Sequence, residues 1–131
     1  MTLTISPFLR KALLADAVVS GAASILMVAG ASLLGPLLDL PAALLFWCGL
    51  VLVPFVALLF VLARRKTTQR LLVLDVVLAN ALWGAASFAI LATGLIAPNV
   101  LGVLFIMGQA LAVALFALLQ IAGLRAAPAS A

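Results

Sequence analysis

The chain has 131 residues, 69% of them hydrophobic and 8% charged, with seven Lys and Arg against three Asp and Glu and a formal net charge of +4. An ordinary soluble domain is about half apolar and about a quarter charged, and a chain this short leaves much of its area exposed after folding, so lipid rather than water must cover the remainder. Histidine and tyrosine are absent and Cys48 is the one cysteine, which excludes an internal disulfide and removes the commonest general base and metal ligand.

Four apolar stretches follow one another, at residues 12–34, 41–63, 71–95 and 98–124, each of 23 residues or more. About 20 residues of α-helix cross a hydrocarbon core of about 30 Å, so all four are long enough to span. A β-barrel would alternate apolar and polar residues, and these runs are unbroken; helix satisfies every backbone group within its own segment. The fold class predicted is all-α: a polytopic membrane protein, one membrane domain over residues 1–131, arranged as an antiparallel bundle of four transmembrane helices.

Arg10 and Lys11 stand before the first stretch, and Asp16 lies just inside it. Arg10 and Lys11 with Ala29-Gly30-Ala31 also suit a secretory signal peptide, but the apolar run is too long for one. Ala17 and Gly21, and Ser20 and Ser24, are spaced four apart, as small residues are where helix backbones approach closely. Gly35-Pro36 and Asp39-Leu40-Pro41 make the first connection, with Pro41 suited to a helix start. In the second stretch Pro54 leaves the Leu50 carbonyl without its usual donor and predicts a kink.

Arg64-Arg65-Lys66-Thr67-Thr68-Gln69-Arg70 forms the central link. The third stretch carries Asp75, then Asn80, Trp83 and Ser87 on one face, with Ala81, Ala85 and Ala89 as further small-residue contacts. Gly94 and Ala97-Pro98-Asn99 precede the fourth stretch, Pro98 again suiting a helix start, and that stretch carries Gln109 near its centre and Gln120 near its end. Gln120 and residues 126–131 read as interfacial or disordered. Links this tight predict that sequential helices are antiparallel neighbours.

All seven basic residues fall at one end of the four runs and only Asp39 lies at the other, which predicts cytoplasmic termini and a cytoplasmic central link. They read as topology signals rather than as a nucleic-acid surface. The halves echo each other: Asp16 and Asp75 follow basic residues, and Gly21-Ala22-Ala23-Ser24 returns as Gly84-Ala85-Ala86-Ser87, out of register by about one turn.

Ionisable residues within spans are candidate functional residues because burying charge in lipid is costly. Asp16 and Asp75 each lie five residues past a basic residue, a shallow position, and the simplest reading pairs them with basic neighbours, Asp16 with Arg70 across helices included; an ion or proton site and a partner contact are the alternatives. Asn80 and Gln109 are deeper, at depths that permit a hydrogen bond between them. The face of Asn80, Trp83 and Ser87 suits a small-ligand or lipid pocket, or Trp83 packs against Gly102 or Gly108.

No zinc motif, phosphate loop or nucleophile with an adjacent base is present, which argues against an enzyme and against a cofactor or metal. Ala79-Asn80-Ala81-Leu82-Trp83 with Gly102 to Ala110 resembles small four-helix inner-membrane proteins of bacteria with no assigned role. The resemblance implies a bacterial inner-membrane location and no activity. The chain lacks the mid-membrane glutamate of the small multidrug exporters and the motifs of the four-helix fluoride channels. The function expected is a non-catalytic membrane module: an accessory or assembly subunit, or a self-associating bundle that binds lipid or a partner helix. The alternative is a small transporter or channel built from several copies. The partners expected are the lipid bilayer and further copies or a larger membrane complex.

Overall fold

The computed structural model describes residues 2–126 and 129–130. In chain order the elements are β1 (Thr2–Thr4), α1 (Pro7–Ala29), α2 (Ala31–Leu38), α3 (Ala42–Arg64), β2 (Thr67–Gln69), α4 (Arg70–Thr93), α5 (Val100–Ala126) and β3 (Ala129–Ser130). Four of the helices, α1, α3, α4 and α5, are long and apolar enough to cross a membrane.

The first expected span is redrawn at both ends. Ser6 caps α1 by accepting the Leu9 N–H at 3.1 Å, and Pro7, whose missing N–H costs nothing there, starts the helix five residues before residue 12. Gly30 then interrupts it, turning back to the Leu26 carbonyl before α2 begins. A Cβ on Gly30 would lie 2.6 Å from that carbonyl oxygen, so the break needs glycine. Asp39, with φ 57° and ψ 44°, stops α2 in the left-handed conformation.

Pro41 precedes α3 rather than opening it, and α3 runs unbroken through an exposed Pro54. Pro98 likewise stands two residues short of α5, because Asn99 takes the cap: its Oδ1 accepts the Gly102 N–H at 2.9 Å. The same residue donates from Nδ2 to the Leu37 carbonyl at 2.8 Å and from its backbone N–H to Leu38, pinning the end of α2 to the start of α5. Asn99→Ala is expected to lower stability by about 1–2 kcal/mol, the loss of a cap and a cross-link, read by thermal unfolding in detergent.

α1 lies along α3 and also against α5, α4 lies along α5, and α3 and α4 scarcely touch. This departs from the expectation that every sequential pair is adjacent. The link between α3 and α4 is not a simple turn: it forms β2, which pairs with β1, and β1 pairs in turn with β3, giving a small sheet of order β2-β1-β3. The sheet carries the chain across the basic end instead of folding it straight back, and it adds strands to a fold expected to be helical throughout. The expected tail therefore ends in order where it is described: Ala126 closes α5 and Ala129–Ser130 pair with β1, while residues 127, 128 and 131 lie outside the described residues.

Two apolar clusters result. At the basic end Leu3 and Ile5 pack on Leu9, Leu13, Leu62 and Val73; towards the opposite end Met27, Leu38, Leu45 and Ile106 pack together. Outward-facing side chains are also apolar, Ile25 being 70% exposed and Leu118 65%, and only lipid solvates such a surface well. Ala81, Ala85 and Ala89 lie on this outer face, not at the helix contact expected of them; Val73, Val76, Asn80, Gly84 and Ser87 are the buried positions of α4.

Candidate functional site

Between the two apolar clusters lies a knot of polar side chains. Asp16 is the tenth of the 23 residues of α1, about 13 Å from its start, so it sits in the third turn near the helix middle, beyond the reach of the helix-end dipole. Its side chain is fully buried. Oδ1 accepts the Ser20 hydroxyl at 2.8 Å, and Oδ2 accepts Asn80 Nδ2 at 2.7 Å and Gln120 Nε2 at 2.8 Å. Asn80 also donates to Gln120 Oε1 at 3.1 Å. Three helices thus meet at one carboxylate.

The expected pairing of Asp16 with Arg70 is absent, as is any ion pair to Asp16 among the described residues. Five residues is 500° of helix, so Lys11 lies about 140° round the axis from Asp16 and cannot reach it. The arginines serve helix ends instead. Arg10 donates from Nε to the Ala63 carbonyl at 2.8 Å and from Nη2 to the Arg65 carbonyl, at the end of α3, and Arg70 donates to the Leu124 carbonyl near the end of α5. Cations there satisfy carbonyls that have no intrahelical donor.

The remaining expected site residues divide. Asn80 joins Asp16 and Gln120 instead of Gln109. Gln109 accepts from Trp83 Nε1 at 3.1 Å, and the Ser87 hydroxyl donates to the Trp83 carbonyl. Gly102 faces Leu38 and Pro98, and Gly108 faces open space, so neither is the seat of Trp83. Asp75 is exposed on α4 with no hydrogen bond or ion pair among the described residues, and it takes no part in the knot. Gln120, read from sequence as interfacial, is fully buried at its centre. A signal for it existed: Gln109 and Gln120 are eleven residues apart, close to three full turns, and therefore share a face of α5.

Where α3 and α4 fail to pack, a cleft of about 610 Å³ lies between Leu44 and Cys48 of α3, Trp83 and Ser87 of α4, and Ile106 and Gln109 of α5. Nearer the knot a crevice of about 380 Å³ is lined by Ser20, Leu52, Phe55, Asn80, Trp83 and Val113. Trp83 belongs to the wall of both. Both amide hydrogens of Asn80 are committed, and its Oδ1 accepts nothing from the described residues. Among the described residues no three His, Cys, Asp or Glu side chains come together as a metal site. Chemically the arrangement offers two apolar hollows that meet at Trp83, the cleft with Ser87 and Gln109 on its wall and the crevice with Ser20 and Asn80 on its own. Comparison of the chain with protein-family models, with curated proteins and with solved structures finds no match in any of the three.

Proposed function

We propose that the chain is a non-catalytic module of a bacterial inner membrane, an antiparallel four-span bundle that takes a lipid-like molecule between α3 and α4. The observation that carries this is the cleft of about 610 Å³ walled by α3 and α4, apolar but for Ser87, Cys48, Gln109 and the indole N–H of Trp83. Ligand sites are concave, largely apolar and furnished with a few polar groups, and this cleft matches that description on a lipid-facing protein. The antiparallel arrangement is supported by the partners of α1: Arg10 meets Ala63, and Ser24, further along, meets Gly49. The clustering of all seven Lys and Arg at the end that carries β1 and β2 supports cytoplasmic termini. Such a module works as an accessory subunit or as a self-associating bundle, with bilayer lipid and further copies as its partners.

Brominated acyl chains quench tryptophan on contact. In a Trp47→Phe variant, which leaves Trp83 as the sole indole, brominated phospholipid in nanodiscs is expected to quench emission strongly. Emission unchanged from that in unbrominated lipid refutes an occupied cleft.

A second reading, a small transporter built from several copies, draws on one observation: the polar groups of Asp16, Asn80 and Gln120 converge near the middle of α1 within a single chain. Polar groups at that position are what a path across the membrane requires.

A further inference from the structure

We infer that the cleft selects a lipophilic cation, an apolar or aromatic molecule bearing a quaternary or protonated ammonium-type centre, and that Asp16 supplies the selection from behind the wall. This rests on the reading of the α3–α4 cleft as a ligand site.

The argument begins with charge balance. Three polar side chains converge on the Asp16 oxygens, with both amides donating to Oδ2, and no described cation pairs with it. A carboxyl group in a low-dielectric interior without a counter-charge is the place where an arriving cation gains most from an ionised partner, far more than it would in water. Lys and Arg occur only at positions 10–11, 64–66, 70 and 125, and none lines the cleft or the crevice, so nothing there repels a positive ligand.

The wall of the crevice, which adjoins the cleft at Trp83, relays that charge. Ser20 and Asn80 both line the crevice, and both turn their hydrogens towards Asp16. That orientation leaves the negative end of each dipole, the Ser20 oxygen lone pairs and Asn80 Oδ1, free to accept from a donor or to stabilise a cation. Trp83, shared by cleft and crevice, adds an aromatic ring of the kind that attracts ammonium-type cations. A small hard ion is not the ligand, because two oxygens cannot replace its hydration shell. The cation must bring its own apolar body, which the apolar lining of the cleft would receive.

Tetraphenylphosphonium and tetraphenylborate have the same shape and opposite charge, and so isolate the sign. Titrated into the Trp47→Phe protein in maltoside micelles, the phosphonium is expected to change Trp83 emission saturably while the borate does not. Asp16→Asn, with helicity and elution volume as controls of its fold, is expected to weaken the phosphonium about tenfold or more. Equal or tighter binding of the borate overturns the inference, as does an Asp16→Asn protein that binds the phosphonium undiminished. The comparison of the two ions needs no change at Asp16, so it decides the matter even where that variant fails to fold. Brominated lipid that quenches Trp83 while the ions bind alike removes the cation and keeps the cleft; no quenching removes both.

Discussion

Asp16→Ala is expected to lose about 2–4 kcal/mol of stability in detergent while Asp16→Asn stays within about 1 kcal/mol of the parent, a contrast read by thermal unfolding. Alanine strips Asn80 Nδ2, Gln120 Nε2 and the Ser20 hydroxyl of their shared acceptor in a fully buried place. Each unsatisfied buried donor costs about 1–3 kcal/mol, and the sum is lowered because polar groups of a loosened membrane protein find other partners. Asparagine repairs the geometry. With its oxygen at the place of Oδ2 it accepts from both amides, and with its nitrogen at the place of Oδ1 it donates to the Ser20 oxygen. It also removes a charge whose burial opposes folding. If both variants melt with the parent, the three helices are not tied at this residue. If both fall together, charge rather than hydrogen bonding holds the knot.

The spans and the asymmetry of charge were legible because they depend on composition over twenty residues, which no single contact overrides. The polar knot was only half legible. Asp16 and Asn80 stand out in apolar sequence, but the depth of Asp16 depends on where α1 begins, and that was set by Ser6 and Pro7, a cap and first-turn proline lying in the stretch before the apolar run. Pairing by nearness in sequence then misdirected the aspartates: a spacing of five from Lys11 or Arg70 points away from the partner, whereas Ser20, four residues on, lies on the same face as Asp16. Gln120 was hidden by its nearness to Arg125, although its phase with Gln109 put it on the inner face. The cleft was not legible at all, since it exists through an absence of packing between α3 and α4. The link between those two helices is taken up instead by the β1–β2 pairing at the basic end. Even there Leu3 and Ile5, alternating with Thr2 and Thr4, carried the period of a half-buried strand.

Gly49→Leu is expected to separate α1 from α3 and to cost about 3 kcal/mol or more, with Gly49→Ala intermediate. A Cβ at Gly49 would lie 2.8 Å from Val28 Cγ2, 3.0 Å from Met27 Cβ and 3.1 Å from the Ser24 carbonyl oxygen. The valine methyl can turn away; the other two atoms are fixed by the backbone of α1, so the helices themselves must part. Parting them also breaks the bond from the Ser24 hydroxyl to the Gly49 carbonyl, 2.7 Å long. In lipid no hydrophobic force draws the helices back together, so close packing and such bonds are what hold the seam. A second position reads the separation directly. A Cβ at Gly21 would lie 3.5 Å from Val56 Cγ1, which places cysteines at residues 21 and 56 within disulfide reach. In a Cys48→Ser background, Gly21→Cys with Val56→Cys is expected to oxidise readily, and adding Gly49→Leu is expected to abolish the cross-link. Cross-linking and melting that both survive Gly49→Leu contradict the close seam. The consequence reaches the cleft, because α3 touches α4 so little that its position across from Trp83 is set almost wholly by its grip on α1. Loosening that grip at Gly49 is therefore expected to change the exposure of Trp83 to brominated lipid, although residue 49 is not among those that line the cleft.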